Sequence, residues 1–275
     1  MPKSKLEAAS PFELRIYHGR QVPESDVRSA LATGELGFIH SFTTGSALDG
    51  PGVRVVAWLA GCQFRCVYCH NPDTWNMTNG TPITLQRAKE QLGKYRHGLK
   101  TMKGGLTISG GEPLMQHKFV IKLFSAAKEM GIHTALDTNG SLGSRLSDSD
   151  LEKVDLVLLD IKAWDNDRHQ RLVGAPIAPV LEFARRLAAL KRPVWVRFVL
   201  VPGVSDDPDD VSHIAEFSAG LGNIQRVDVL PFHQMGQFKW KQLGMEYTLG
   251  NVEPPSAEQV ERVCQTFRAS GLKAY

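Results

Sequence analysis

The feature that most constrains the fold is a sixfold alternation of short apolar segments with segments of helical periodicity. Each apolar segment is rich in valine, leucine and isoleucine, which is typical of strands buried on both faces. Parallel strands joined by helices form either a doubly wound sheet or a barrel. The predicted strands cover residues 53–60, 106–109, 133–136, 156–159, 194–201 and 226–230, and the predicted helices cover 84–96, 117–130, 149–154, 179–190, 209–221 and 257–270.

Polar residues near the carboxyl ends of these strands favour the barrel. In a barrel those ends converge on one face, where barrel enzymes carry their active sites. Six strand–helix units instead of eight would leave the barrel open at its side, with room for something larger than a metabolite. We therefore predict an α/β fold with a partial (β/α)6 TIM-like barrel over residues 37–275. The polar residues in question are Cys62, Glu112, Asp137, Asp160 and His233, with Arg197 inside a strand.

Residues 1–36 differ from the rest of the chain. Three prolines interrupt them, and no periodic pattern is sustained beyond a weak helical pattern over 25–33. We predict an N-terminal extension that is partly disordered. The sequence indicates no role for it.

Charge and hydropathy argue against several classes of protein. The chain has a formal net charge of +3 and no long block of like charges, so neither nucleic-acid nor membrane-surface binding is supported. Its longest apolar segments are strand-sized and too short to span a membrane. The amino terminus lacks the charged start and apolar stretch of a secretory signal. We expect a cytoplasmic protein that binds no nucleic acid and no membrane.

Three of the four cysteines, Cys62, Cys66 and Cys69, form a C-x3-C-x2-C pattern directly after the first predicted strand. Three thiolates are one short of closing an iron–sulfur cluster, so one iron would be left open to a small molecule. A zinc site with His70 as fourth ligand is the alternative, although adjacent Cys69 and His70 can hardly both reach one tetrahedral ion. Cys264 lies in a late amphipathic pattern and is expected to be a small buried apolar residue.

The other polar residues each have an ordinary structural explanation. Residues 109–113 (SGGEP) can be a tight turn, Asp160 and Lys162 an ion pair, and His233 a core histidine. Asp137 can belong to a capping turn. Arg197 is harder to explain in this way because a buried guanidinium needs an acceptor. Their common location on one face is what favours a binding site.

The cysteine pattern, with Tyr68 before its last cysteine, resembles the signature of radical S-adenosylmethionine (SAM) enzymes. The flanking segments 49–54 (DGPGVR) and 70–75 (HNPDTW) resemble those of the glycyl-radical-enzyme activases within that class. The resemblance covers residues 38–275, and departs from the family at Trp58, which we interpret as a packing variant, and in the N-terminal extension. Further matches are 136–140 (LDTNG), 169–174 (HQRLVG) and 201–203 (VPG).

The resemblance implies the one-electron reductive cleavage of SAM. The resulting 5′-deoxyadenosyl radical abstracts a hydrogen atom from a specific glycine of a partner enzyme and leaves a glycyl radical. Flavodoxin or ferredoxin is the implied electron donor, and we expect a monomer. Several other activases carry an inserted ferredoxin-like segment with extra cysteines, which is missing here, so the implied partner is pyruvate formate-lyase. A different glycyl radical enzyme, or a zinc-stabilised scaffold without activity, remains an alternative.

The resemblance also implies roles for individual residues. Cys62, Cys66 and Cys69 would hold one [4Fe-4S] cluster, and Asp49 would meet the substrate loop. The residues implied in binding SAM are Tyr68, Cys69, His70, Gly110, Gly111, Glu112, Asp160, Ile161, Lys162, Arg197 and His233. The implied ligands of a monovalent cation are Asp137, Thr138, Asp160 and the carbonyl of Leu158.

Overall fold

The computed structural model describes residues 15–16, 20–21 and 24–275, with side chains from residue 28 onward. Most of the predicted extension, and with it the predicted disorder, lies outside these residues. The part that is described contains two short paired strands, β1 (Arg15–Ile16) and β2 (Arg20–Gln21), and a helix, α1 (Glu24–Thr33). The helix coincides with the weak helical pattern and is joined to the core by a hydrogen bond of 2.8 Å from Lys118 Nζ to the carbonyl of Ala32.

All six predicted strands are present and lie side by side in a parallel arrangement. Their order in the sheet follows their order in the chain, without the reversal that defines a doubly wound sheet. The predicted barrel-type α/β architecture is therefore confirmed. The six strands are β4 (Arg54–Leu59), β6 (Gly105–Gly110), β7 (His133–Thr138), β8 (Leu156–Asp160), β9 (Val194–Leu200) and β10 (Ile224–Pro231).

Two further strands extend the sheet on the β4 side. The strand β3 (Leu36–Ser46) pairs antiparallel with β4, and β5 (Thr81–Thr84) pairs antiparallel with β3. The eight-stranded sheet thus ends at β5 on one side and at β10 on the other. Most of β3 beyond its first four residues is exposed, so it lacks the apolar run that revealed the central strands.

Helices cover the outside of the sheet. Several begin with a side chain that accepts a hydrogen bond from the first turn, including Thr84, Asp207 and Ser256. Cys264 is buried, as predicted. None of the helices in the described ranges combines the length and the apolar content needed to cross a membrane. The helices are α2 (Leu85–Thr101), α3 (His117–Glu129), α4 (Asp148–Leu151), α5 (Asn166–Val173), α6 (Ala178–Ala189), α7 (Pro208–Leu221), α8 (Gln237–Gln242) and α9 (Ala257–Ala269).

Candidate active site

A cleft of about 280 Å³ lies among the ends of the central strands. The strands bring it together because most of them carry polar residues at or just beyond their carboxyl ends, and β9 adds Arg197 from its middle. Most of the residues predicted for the site line this cleft. They are Asp49, Cys62, Cys66, Tyr68, Cys69, His70, Gly110, Gly111, Asp137, Asp160, Lys162 and Arg197.

Backbone hydrogen bonds fix the loop that carries the three cysteines. The amide of Arg65 donates to the carbonyl of Val173 at 2.8 Å, and that of Val67 donates to Leu172 at 3.0 Å. Both acceptors belong to the last turn of α5, within the 169–174 segment noted in the sequence. The amide of Cys62 donates to the carbonyl of Trp75 at 3.1 Å. The loop is therefore held between α5 and the segment that follows the cysteines.

The three cysteine thiols are free and partly exposed at the cleft. Burial raises the pKa of all three thiols, that of Cys66 to about 12. A thiol in such surroundings keeps its proton unless a metal centre takes the thiolate as a ligand. This donor set of three thiols in one loop fits an iron–sulfur cluster.

The geometry around His70 does not favour the zinc alternative. The ring of His70 stacks on that of His233 with centroids 4.0 Å apart, and its Nε2 donates to the His233 carbonyl at 3.0 Å. Within the described part of the chain, no three side chains of His, Cys, Asp or Glu are grouped to share one metal ion. A four-iron cluster does not need such a grouping because each thiolate binds a different iron.

Two glycines at the end of β6 are required because this strand end lies close to the end of β4 and to the residue before Cys62. A Cβ atom on Gly110, which has φ of +122°, would lie 2.2 Å from the backbone nitrogen of Leu59. A Cβ on Gly111 would lie 2.4 Å from the carbonyl oxygen of Gly61. Both contacts are shorter than any that real Cβ atoms make, so only glycine fits at either position.

Glu112 points into the protein, away from the cleft. Its fully buried carboxylate accepts hydrogen bonds from the amide of Leu114 (2.9 Å), the hydroxyl of Thr138 (2.7 Å) and the amide of Asn139 (2.8 Å). Burial raises the pKa of Glu112 to about 7, against the hydrogen bonds, which lower it. In this structure Glu112 ties the loop after β6 to the loop after β7.

A charged network forms the side of the cleft that faces β7 and β9. Arg197 Nη1 lies 2.9 Å from Asp137 Oδ2 and 3.8 Å from Asp49 Oδ1. Ser109 Oγ donates to the same oxygen of Asp137 at 2.6 Å. Asp137 raises the pKa of Arg197, whereas burial outweighs Arg197 and raises the pKa of Asp137.

A second ion pair lies at the end of β8. Lys162 Nζ is 3.0 Å from Asp160 Oδ2 and 5.5 Å from the centroid of the Tyr68 ring. Burial alone would lower the pKa of Lys162, but Asp160 and its other neighbours raise it well above its usual value. Lys162 therefore stays protonated at neutral pH. The cleft as a whole presents two cations and three carboxylates.

Two buried polar atoms at the cleft indicate that a ligand belongs there. Among the residues that the structure describes, Tyr68 Oη and Arg197 Nε lack hydrogen-bond partners. Buried polar groups are nearly always paired, so each such atom needs a partner from outside the chain. Mixed charges of this kind suit a molecule that carries both an ammonium and a carboxylate group, as the amino-acid part of SAM does.

Five of the predicted residues do not line the cleft with their side chains. Thr138 bonds to Glu112, and the side chains of Leu158 and Ile161 are almost completely buried. Any contact of Leu158 with a cation would therefore use its carbonyl, as the resemblance implied. Glu112 is the fourth, and His233 is the fifth, since it reaches the site only through the stacking of its ring on that of His70.

Trp58, interpreted from the sequence as a packing variant, lines the cleft. Its Nε1 donates to Thr43 Oγ1 of β3 at 2.9 Å, so β3 orients the indole. The sequence did not reveal this position because a strand covered on both faces shows no alternation that separates inward from outward residues.

Residues 57–217 match the sequence profile described as the Radical SAM superfamily. The match begins in β4, includes the cysteine loop and the ends of β6 to β9, and thus contains most of the cleft. The fold and the site therefore define a radical SAM enzyme. Membership of this class implies a [4Fe-4S] cluster and SAM.

Named relatives narrow the class further. The chain is 44% identical over 240 residues to the pyruvate formate-lyase 1-activating enzyme of Escherichia coli K12, covering 86% of this chain and 98% of that protein. It is 41% identical over 242 residues to the pyruvate formate-lyase-activating enzyme of Staphylococcus epidermidis, covering 86% and 96%. A crystal structure of a domain of the corresponding Bacteroides vulgatus protein matches with a TM-score of 0.53 at 29% identity, covering 62% of this chain and 98% of that one. The chain belongs to the family of pyruvate formate-lyase-activating enzymes.

Proposed function

We propose that this chain activates pyruvate formate-lyase by installing a glycyl radical on it. The observation that carries the proposal is the joint presence, in one cleft, of three free thiols and a set of charges suited to an amino acid. When bound and reduced, the cluster supplies one electron that cleaves SAM into methionine and a 5′-deoxyadenosyl radical, which takes a hydrogen atom from a glycine of the partner to give 5′-deoxyadenosine and a glycyl radical.

Cys62, Cys66 and Cys69 would hold the cluster through three of its irons. The hydrogen bonds of their loop to α5 and to Trp75 fix the positions of the ligands before the cluster is bound. All three thiols lie on the wall of the cleft, so the cluster that they hold would supply SAM there with an iron that has no protein ligand.

The charged groups would bind the amino-acid part of SAM. Lys162 carries a proton and can meet a carboxylate, while Asp160 can accept a hydrogen bond from the ribose or the ammonium group. Tyr68 Oη and Arg197 Nε are placed to find their missing partners in the same ligand. The backbone of Gly110 and Gly111, and the stacked rings of His70 and His233, would complete the contacts on either side.

The cation site implied by the family would use Asp137 and Asp160. These carboxylates lie on the wall of the cleft, and together with Asp49 they outnumber the two cationic side chains there. A monovalent cation would offset this excess of negative charge. Thr138 and the carbonyl of Leu158 would be its further ligands, although the hydroxyl of Thr138 is engaged with Glu112 in this structure.

Asp49 would meet the glycine loop of the partner. It lies on the cleft wall although it comes from the connection between β3 and β4, at the end of the sheet opposite to the cysteines. The side of the sheet between β5 and β10 is open, so a loop of a large protein can enter there. We further propose that the chain acts as a cytoplasmic monomer and receives its electron from flavodoxin or ferredoxin.

The direct test is activation of pyruvate formate-lyase in vitro. After anaerobic reconstitution with iron and sulfide and chemical reduction, the chain should cleave SAM and produce a glycyl EPR signal on the partner. An intact cluster that yields neither product contradicts the proposal.

Two controls identify the ligands and the partner. Cys66→Ala should lose iron, sulfide and SAM cleavage together, whereas Cys264→Ala should retain all three, because Cys264 is buried in the distant helix α9. In an assay that mixes several glycyl radical enzymes, only pyruvate formate-lyase should acquire the radical. A radical on another enzyme alone would assign the activity to that partner instead.

A further inference from the structure

A segment after the last parallel strand reaches back to the cysteine loop. Residues 233–240 follow β10 and include the first turn of α8, and we refer to them as the 233–240 segment. They lie against residues 69–73, which begin with the last of the three cysteines, Cys69. Gly236 is part of this contact, because a Cβ added to it would lie only 2.7 Å from the Cα of His70. The two segments are therefore in backbone contact.

Trp240 contacts the third cysteine directly. Its Nε1 donates to the carbonyl of Cys69 at 2.8 Å, and its side chain is 8% exposed. The indole also packs edge-on against Trp75, with centroids 5.2 Å apart, and Arg65 covers the Trp75 ring at 4.9 Å. Trp75 is thus held between a residue of α8 and a residue of the cysteine loop.

Lys239 ties the same two segments together by charge. Its Nζ donates to Asn71 Oδ1 at 2.8 Å and lies 2.9 Å from Asp73 Oδ2. The same oxygen of Asp73 is 2.9 Å from His40 Nε2 on β3. Asp73 therefore links α8, which follows the last strand, to β3 on the other side of the sheet.

The two residues that follow the 69–73 stretch are hydrogen-bonded to the first cysteine and to the residue before it. The carbonyl of Thr74 accepts from the amide of Gly61 at 2.7 Å, and that of Trp75 accepts from the amide of Cys62. A displacement of residues 69–73 would therefore pull on Cys62 as well as on Cys69. The 233–240 segment acts on both ends of the cysteine pattern.

From these contacts we infer that the 233–240 segment is a clamp that positions Cys69, with Trp240 and Lys239 as its positioning residues. The inference rests on the proposed function in one respect, which is that Cys69 is a cluster ligand. The dipole of the Trp240 N–H points at the backbone of that ligand. Hydrogen bonds around the ligands of an iron–sulfur cluster favour its reduced, more negative form, so the clamp makes the cluster easier to reduce.

The first test measures the clamp in the chain without its cluster, by amide hydrogen exchange. Trp240→Phe keeps an aromatic ring but loses the donor to Cys69, and Lys239→Met loses the ion pair. Each should raise exchange over residues 69–75 about fivefold or more, because a local hydrogen bond that restrains opening is lost. Lys239→Arg should restore protection, and Lys241→Met, on the exposed face of the same helix, should change nothing.

The second test measures the midpoint potential of the reconstituted cluster by EPR-monitored titration. Trp240→Phe should shift the potential to a more negative value, and Lys241→Met should not. If neither Trp240→Phe nor Lys239→Met raised amide exchange over residues 69–75, the inference would be overturned. It would also be overturned if exchange rose in Trp240→Phe while the midpoint potential of the cluster stayed the same, because the contact would then be structural only. The exchange result does not depend on radical chemistry, so failure of the proposed function would be seen separately, as a cluster that does not cleave SAM.

Discussion

Arg197 of β9 donates a hydrogen bond of 2.9 Å to Asp137 of β7 across the intervening strand β8. Strands two apart in a sheet are separated by about 10 Å, so only a long side chain can make this contact. Burial raises the pKa of Asp137, and the guanidinium of Arg197 opposes this shift. The same guanidinium keeps one buried N–H free for a ligand.

Arg197→Met should therefore be strongly destabilising. It removes the cation from a largely buried pair and leaves Asp137 without a charge partner, which costs about 3 kcal/mol or more of unfolding free energy. SAM binding should weaken by about tenfold or more, the equivalent of one lost polar contact. Urea unfolding and equilibrium binding of SAM measure the two effects. Arg197→Lys should recover part of the stability, and an Arg197→Met protein as stable as the parent would contradict the role given to the pair.

The central strands and their polar ends could be predicted from the sequence because burial on both faces produces apolar runs that end abruptly. Leu156–Asp160 is such a run, and it placed Asp160 correctly at the end of β8. The strand β3 could not be predicted in this way, since only its first four residues are buried. The apolar runs thus predicted which residues reach the cleft, but they did not predict the strands at the edge of the sheet.

The direction of side chains in the loops depends on contacts between residues far apart in the chain. Glu112 turns inward because the Thr138 hydroxyl and the Asn139 amide are there to donate to it. Trp240 reaches the Cys69 carbonyl over 171 residues of sequence. No local pattern encodes such pairs, so neither the inward position of Glu112 nor the clamp could be predicted from the sequence.

Glu112→Gln should destabilise the fold at acidic pH, where the contribution of Glu112 is largest. All three partners of the carboxylate are donors, so the amide group of glutamine would place an N–H against at least one of them. A buried donor left without an acceptor costs about 1–3 kcal/mol. Urea unfolding at pH 5 measures the loss, and a variant of unchanged stability would show that the loops are held by other contacts.

The same substitution tests the titration of Glu112. Its pKa is about 7 in the fold against an ordinary value of 4.5, so between these pH values the folded chain keeps a proton that the unfolded chain releases. The contribution of Glu112 to the unfolding free energy is therefore complete below pH 4.5 and is lost as pH rises through about 7. The parent should lose stability relative to the Gln variant over this interval. A difference that does not vary with pH would contradict the raised pKa.

Gly111→Ala should disturb the cysteine loop, whereas Gly93→Ala should not. The new Cβ at position 111 would meet the Gly61 carbonyl at 2.4 Å, so the backbone next to Cys62 has to move. At position 93, in the middle of α2, the Cβ has no neighbour within 4 Å, and alanine should stabilise the helix by about 0.5–1 kcal/mol. Thermal unfolding and the iron content after reconstitution should both be lowered in Gly111→Ala and not in Gly93→Ala. Full iron loading of Gly111→Ala would show that the close approach of the loops is not needed.

We predict that Arg54 fixes the position of the loop that carries Asp49. It is fully buried and donates only to uncharged acceptors, including Thr107 Oγ1 at 2.9 Å and the carbonyl of Leu106 at 2.7 Å. The Thr107 hydroxyl in turn donates to the carbonyl of Asp49 at 2.6 Å. Burial lowers the pKa of Arg54 to about 10, so it remains protonated at neutral pH.

Arg54→Met would leave several buried acceptors unpaired and should cost about 3 kcal/mol or more of unfolding free energy. Thr107→Val removes only the link between Arg54 and Asp49, and should cost about 1 kcal/mol. Both variants should raise hydrogen exchange at residues 47–53, because Arg54→Met releases the carbonyl of Pro51 and Thr107→Val releases that of Asp49. If Thr107→Val left exchange in that loop unchanged, Arg54 would stabilise the strands alone, and the position of Asp49 at the cleft would have to be set by its contact with Arg197.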